Sequence, residues 1–221
     1  MEFSQSQSHG LIWENEIKTK VFLLPPSKND TKKYDIECHE NIFNPNENIS
    51  IKTSGNNNID CGDILRFYDD SNFNNKYTII LIRYRQDDSY KIITQILEIN
   101  YDIHLRNFLF GSITRNILQE YVSYIKNISN GLVEDEIKKI YKQQKLFLQT
   151  NFNMNIKISP KVDSHNQRRV QCSIPKINEL FIMFPENIKY NTNIPVIRNI
   201  EISQKIESPR RNRKKNDLKT F

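Results

Sequence analysis

The chain has 221 residues, of which 37% are hydrophobic and 26% are charged, a balance typical of a globular protein and not of a disordered one. No apolar run approaches the roughly 20 residues that a membrane-spanning helix needs, so we expect no membrane partner. The formal net charge of +6 favours a polyanionic partner such as nucleic acid. The three cysteines lack metal-ligand spacing, which indicates free thiols and a cytoplasmic location.

The first half of the chain alternates helical and extended patterns. Apolar residues near helical spacing predict an N-terminal helix from Gly10 to Phe22. Strand-like runs follow at 32–38, 49–53, 77–85 and 91–99. The run at 77–85 is nearly continuously apolar, as expected for a central strand that is buried on both faces.

The second half is predicted to be helical first and then extended. Amphipathic helices are expected at 102–128 and 133–151, and short strand-like runs at 155–158, 170–174 and 180–184. The sum predicts an α/β fold, with a central mixed β-sheet flanked by helices and a β-rich C-terminal appendage. We expect one domain over residues 1–205 and a basic, flexible tail over residues 206–221.

Two short segments carry the residues of greatest chemical interest. Tyr34-Asp35-Ile36 is followed, one connection later, by Ile49-Ser50-Ile51-Lys52-Thr53. On adjacent antiparallel strands, Asp35 and Lys52 can point to the same side of the sheet, and Ser50 shares the face of Lys52. Phosphodiester hydrolysis uses such a set, because a carboxylate holds Mg²⁺ against the phosphate while an ammonium orients the attacking water and stabilises developing charge.

This order of residues resembles the PD-(D/E)XK nuclease superfamily, in which an Asp is followed, after a connection, by (D/E)-X-K on the next strand. The resemblance implies a restriction-endonuclease-like core at about 10–100, with Asp35 as the metal ligand and Lys52 as the catalytic lysine. Ser50 stands where the superfamily has an acidic residue. Glu37 shares the face of Asp35 by parity, so either Ser50 or Glu37 fills the second acidic position.

A second segment agrees with this resemblance. Gly10-Leu11-Ile12-Trp13-Glu14 is similar to the first helix of many restriction enzymes, in which a glutamate lies beside the metal. The resemblance therefore implies Glu14 as an auxiliary ligand. The alternative for Glu14 is a solvent-facing residue that stabilises the helix dipole.

The resemblance implies a type II restriction endonuclease that cleaves double-stranded DNA at a short specific site and depends on Mg²⁺. A palindromic site favours a homodimer, because the symmetry of the site then matches that of the protein. A cognate DNA methyltransferase is the further partner that such a system implies. Two alternatives stay open: a structure-selective or repair nuclease of the same fold, and a DNA-binding protein without catalytic activity, which Ser50 favours.

The polar run at 161–171 is dense in side chains suited to base edges in the major groove, where Arg pairs with guanine and Asn or Gln with adenine. Together with the loop after Lys52, it supplies the candidate DNA-binding residues Ser54, Asn56, His165, Asn166, Gln167, Arg168, Arg169 and Gln171. We expect the recognition part at about 155–185, with Arg168 and Arg169 as its strongest candidates. The alternative is a polar surface hairpin.

Overall fold

The computed structural model describes residues 8–26, 32–70, 75–163 and 166–208. Its helices are α1 (Ser8–Glu16), which continues as a π-helical turn (Ile17–Val21), α2 (Ile64–Asp69), α3 (Ile103–Phe110), α4 (Arg115–Lys126), α5 (Asp135–Asn151) and α6 (Ile177–Met183). The strands are β1 (Glu47–Ser54), β2 (Asn58–Asp63), β3 (Lys76–Asp87), β4 (Tyr90–Asn100), β5 (Lys157–Val162), β6 (Arg168–Pro175), β7 (Ile188–Thr192), β8 (Val196–Ile197), β9 (Ile200–Glu201) and β10 (Lys205–Glu207).

The main sheet has five strands in the order β1-β3-β4-β10, with β7 also paired to β4. β1 and β3 run parallel, whereas β4 is antiparallel to β3, β7 and β10. The parallel pair requires a crossover, which β2 and α2 supply. The predicted α/β architecture, a mixed sheet flanked by helices, is confirmed.

Two hydrophobic clusters lie on the two faces of this sheet. One face of β3 carries Ile79 and Leu81, which pack with residues of α3, α4 and the C-terminal strands. The other carries Ile80 and Ile82, which pack with Trp13 of α1. Since alternate side chains of β3 enter different clusters, the strand is apolar at nearly every position, as the sequence indicated.

A second sheet joins the C-terminal third to the rest of the fold. It has three strands in the order β2-β6-β5. Because β7 and β10 also extend the main sheet, this third is built into the core and is not an appendage. The expected boundary after residue 205 falls inside β10, and Ser208 beyond it is buried, with its N–H 2.7 Å from the carbonyl of Ser89. Residues 209–221 of the predicted tail lie outside the described residues.

Two predicted strands were wrong, and one predicted helix is interrupted. Residues 32–38 do not form a strand, since their only ladder contact among the described residues is a single bridge between Ile36 and Ile49. The helix expected at 102–128 is divided at Gly111, whose φ is +59°. A Cβ at this position would lie 1.9 Å from the carbonyl oxygen of Phe152, so only glycine fits. The run at 180–184 belongs mainly to α6, in which Ile177 and Leu180 are buried at helical spacing.

No helix among the described residues is both long enough and apolar enough to cross a bilayer.

Candidate active site

The carboxylate of Asp35 lies at the outer edge of the main sheet, beside β1. The Asp35 N–H donates to the carbonyl of Ile49 at 3.0 Å, and its Oδ2 accepts from the N–H of Ile51 at 2.6 Å. The carboxylate therefore occupies the place of a missing ladder partner. Its other oxygen, Oδ1, accepts no hydrogen bond from any residue that the structure describes, so it is available to a ligand.

Lys52 reaches the same carboxylate from the face of the sheet. Its Nζ lies 3.6 Å from Oδ2 of Asp35, and the two side chains are 29% and 23% exposed. An ion pair this exposed contributes little to stability, since solvent screens it. The structure thus brings together the two residues on which the predicted chemistry depends, in a place that solvent reaches.

The backbone of Ile51 adds an oxygen at this edge. Ile49, two residues earlier, accepts hydrogen bonds from the N–H groups of Asp35 and Ile36 and donates to the Ile36 carbonyl. The N–H and C=O of one strand residue point to the same side, and residues two apart point alike. The Ile51 carbonyl therefore faces the edge at which its N–H meets Asp35. Carboxylate and carbonyl oxygens are ligands that Mg²⁺ accepts.

Ser50 occupies the predicted strand position but is turned into the core. Its side chain is only 4% exposed and hydrogen-bonds to the hydroxyl of Tyr77. Burial raises the pKa of the Tyr77 phenol, so this hydroxyl stays neutral. Because the Ser50 hydroxyl already has a buried partner, we assign it no part in the chemistry.

Asp70 is a nearby residue that sequence reasoning missed. Its carboxylate is 4% exposed and accepts the hydroxyl of Tyr34 at 3.1 Å, while the Nζ of Lys33 lies 2.8 Å away. These contacts fix the two residues that precede Asp35. Burial raises the pKa of Asp70, although Lys33 and Tyr34 oppose that shift. The sequence offered only an acidic pair, Asp69-Asp70, at the end of an apolar helical turn.

Glu14 and Glu37 are the two other carboxylates that the sequence assigned to the metal. Glu14 is partly buried on α1, whose apolar residues pack on the sheet face opposite Lys52. Glu37 begins a short 3₁₀ turn, and its Oε2 lies 3.5 Å from Nδ1 of His39. The parity argument for Glu37 fails because residues 32–38 do not form a strand. Within the described ranges, no group of three or more His, Cys, Asp or Glu side chains could hold a metal ion, so these carboxylates do not form a three-membered cluster with Asp35.

A groove of about 300 Å³ begins immediately beyond Lys52, between the loop after β1 and the β5–β6 hairpin. Ser54 and Asn56 line it from one side, and Lys161 and Gln171 line it from the other. The Ser54 hydroxyl donates to the carbonyl of Asn58 at 2.5 Å, and Oδ1 of Asn56 accepts from the N–H of Asn58 at 3.0 Å. These bonds order the loop, and Asn56 is exposed with its side-chain oxygen engaged. The structure therefore gathers three of the predicted DNA-binding residues, Ser54, Asn56 and Gln171, around one polar groove.

The remaining predicted DNA-binding residues divide into free and occupied ones. The guanidinium of Arg168 donates to five backbone carbonyls, those of Ile128, Ser129, Gly131, Asp163 and Gln167. Such a guanidinium has no donor pair left for guanine. Asn166 is also engaged, since its Oδ1 accepts from the N–H of Gly131 at 2.9 Å.

Gln167 and Arg169 remain exposed in the same hairpin, where Nη2 of Arg169 lies 3.4 Å from Oε1 of Gln167. His165 lies outside the described residues. The hairpin can therefore offer Arg169, Gln167 and Gln171 to a partner, whereas Arg168 and Asn166 connect it to the loop after α4.

A search of the chain against profiles of known protein families, curated proteins and solved structures gave no match.

Proposed function

We propose that the chain is a Mg²⁺-dependent endonuclease of the type II restriction class, which hydrolyses phosphodiester bonds of double-stranded DNA at a short specific site. One observation carries the proposal: Asp35 and Lys52, separated by 16 residues, meet with 3.6 Å between Nζ and Oδ2 at the open edge of β1. The resemblance to the PD-(D/E)XK order of residues and the net charge of +6 support the same function.

The oxygen donors at this edge suit a hard divalent cation. Oδ1 of Asp35 and the carbonyl of Ile51 would hold Mg²⁺, and Glu14 is the auxiliary carboxylate that we propose to approach from α1. The contact of α1 with the end of β1 supports Glu14, since a Cβ at Gly10, one helical turn earlier, would lie 3.4 Å from Oγ1 of Thr53. The bound cation would supply Lewis acidity toward the phosphate and make water a better nucleophile.

Lys52 and Asp35 perform distinct tasks in this proposal. The ammonium of Lys52 orients the attacking water and stabilises negative charge that develops on the phosphate oxygens. The orientation of the Asp35 carboxylate is fixed because Oδ2 accepts a hydrogen bond from the N–H of Ile51. Oδ1 remains open for the cation. Preorganisation of this kind lowers the reorganisation needed during the reaction.

Sequence recognition is proposed for the groove beyond Lys52. Gln171 has an amide group that can pair with adenine, and Arg169 has a guanidinium suited to guanine. Asn56 can offer its amide N–H groups to an acceptor on a base edge, because its oxygen already accepts from the N–H of Asn58. Lys161 supplies a cation for a phosphate. A homodimer on a palindromic site would bring one such groove to each half-site. A cytoplasmic location and a cognate methyltransferase belong to the same proposal.

Ser50 favours a second candidate, a DNA-binding protein without cleavage activity, because position 50 has no acidic side chain and its hydroxyl is buried. Digestion of mixed plasmid and phage DNA by the purified protein with Mg²⁺ separates the candidates. The proposal predicts discrete bands. A smear would indicate a structure-selective or repair nuclease, and retarded but intact DNA would indicate the non-catalytic candidate.

A further inference from the structure

A second polar depression lies on the sheet face that carries Lys52. It has a volume of about 530 Å³, and we call it the Arg83 trough. Its lining residues are Arg83, Thr94, Gln95, Asn191, Thr192 and Asn193. Ser54 pairs with Arg83 in the parallel ladder, and Arg83 pairs with Gln95 in the antiparallel one. Because Lys52 and Ser54 share a face of β1, Arg83 stands one strand and two residues away from Lys52, roughly 8 Å.

The lining of the Arg83 trough is that of an anion site with hydrogen-bonding flanks. Nη1 of Arg83 donates to Oε1 of Gln95 and to Oδ1 of Asn178, each at 2.8 Å. Nε2 of Gln95 in turn donates to Oδ1 of Asn191 at 2.9 Å. Neutral amides thus orient the guanidinium, and in the part of the chain that the structure describes no carboxylate forms an ion pair with it. An oriented guanidinium that keeps its full charge is suited to a phosphodiester.

The other lining side chains favour a polynucleotide over a simple anion. Thr94, Gln95, Asn191, Thr192 and Asn193 all carry neutral donors and acceptors. Such groups hydrogen-bond to sugar oxygens and base edges as well as to phosphate oxygens, so the trough can contact more of a polynucleotide than its phosphate. The trough is also continuous with the face of β1 that presents Lys52.

We infer that the Arg83 trough binds the DNA strand that is attacked at Asp35 and Lys52, one or two nucleotides from the scissile phosphate. This inference rests on the proposed function, because it takes the Lys52 phosphate as its reference point. The separation of roughly 8 Å joins the two backbone positions, and it is close to the spacing of neighbouring phosphates on one strand, which wind around the axis and lie about twice as far apart in space as their axial rise of about 3.4 Å. Arg83 holds the phosphate, and the amides of Gln95 and Asn191 contact the adjoining sugar or base.

Methylphosphonate interference tests the inference without cleavage. Duplexes with one neutral methylphosphonate at successive positions are titrated in Ca²⁺, with binding followed by fluorescence anisotropy. Wild type loses affinity at each contacted phosphate. We expect Lys52→Gln to become insensitive at one position and Arg83→Gln at another on the same DNA strand, one or two nucleotides away. Arg83→Gln should weaken binding about tenfold and reduce the salt slope by about one.

Two controls separate this role from a structural one. Arg85→Gln removes another exposed cation of β3, whose partner Asp87 is 4.0 Å away. This variant should leave the interference pattern unchanged. Arg83→Lys keeps the charge and should restore the salt slope. The inference is overturned if Arg83→Gln shows the wild-type pattern, or if its insensitive position lies on the other strand. If the protein cleaves no DNA but both variants lose sensitivity at the expected methylphosphonate positions, the nuclease proposal is refuted and DNA binding by the Arg83 trough is supported.

Discussion

Oδ2 of Asp35 contacts both the N–H of Ile51, at 2.6 Å, and the Nζ of Lys52, at 3.6 Å. The backbone of β1 therefore positions the Asp35 carboxylate at the edge of the sheet, and the same strand carries the Lys52 side chain on its face. Two successive residues of one strand hold the pair, so the site depends on the position of β1 more than on the ion pair itself.

Replacing Lys52 should remove activity while leaving the fold intact. Lys52→Met is expected to lower the cleavage rate on the order of 10²–10³-fold, because the charge that develops on the phosphate loses its cation. Stability should change by less than about 1 kcal/mol, since the pair with Asp35 is partly exposed. Lys138→Met, which removes another exposed pair, with Asp135, is the matched control. A Lys52→Met protein that cleaves at the wild-type rate would refute the assignment.

Substitutions in the groove and in the hairpin should separate base recognition from folding. Asn56→Ala and Gln171→Ala are expected to relax sequence preference, each by about 1–3 kcal/mol at the affected base pair, with little change in melting temperature. Arg168→Ala should instead lower the melting temperature, because it leaves several carbonyls without their donor. Cleavage of a randomised-site library and thermal melting measure the two effects. Unchanged preference in both groove variants would locate recognition elsewhere.

Asp70 should make the folded protein less sensitive to acid than its Asn variant. Burial raises the folded pKa of Asp70 above its ordinary value of 3.8, so the folded state binds more protons than the unfolded one between those two values. The free energy of unfolding therefore gains from Asp70 as the pH falls through the folded pKa, and the gain is complete below about 3.8. Urea denaturation of wild type and Asp70→Asn at pH 7 and pH 4.5 should show the difference growing in favour of wild type. A difference that shrinks would contradict the assignment.

Arg198 connects β1 to β4 across the central strand. Its Nη2 lies 3.1 Å from Oε2 of Glu47 and 2.8 Å from Oε2 of Glu98, and Glu47 is only 1% exposed. Arg198→Met leaves two buried carboxylates without this cation and should cost about 3–5 kcal/mol. Arg85→Met, at an exposed site, is the control in urea denaturation. A loss below about 1 kcal/mol would show that Arg198 does not hold β1 in place.

The long strands could be predicted from the sequence, because their apolar residues report burial directly. The predicted runs at 77–85 and 91–99 fall within β3 and β4. The run at 32–38 misled because Asp35 pairs with β1 through its side chain, a contact that no periodicity encodes. Gly111 divides the predicted helix with a φ of +59°, and the carbonyl of Phe152, 41 residues later, leaves room at this position for glycine only.

The candidate site could be predicted only in part, for the same reason. Asp35 and Lys52 could be predicted because they belong to an ordered pattern, an Asp followed after a connection by Ser-X-Lys, which is visible in the sequence. Asp70 and Arg83 act through partners brought near by folding, and Arg168 is occupied by carbonyls up to 40 residues away. Local pattern indicates which residue types are present, whereas tertiary contacts decide which of them remain available.

Cleavage of supercoiled plasmid DNA by wild type and Asp35→Asn, with Mg²⁺ titrated against a chelator, tests the central proposal most directly. We predict that wild type linearises DNA at discrete sites only when Mg²⁺ or Mn²⁺ is present. Asp35→Asn should bind DNA in Ca²⁺ as wild type does, yet cleave it on the order of 10³-fold more slowly, since the cation contributes several kcal/mol to the transition state. Full wild-type activity in excess chelator, or wild-type rates in Asp35→Asn, would contradict the account.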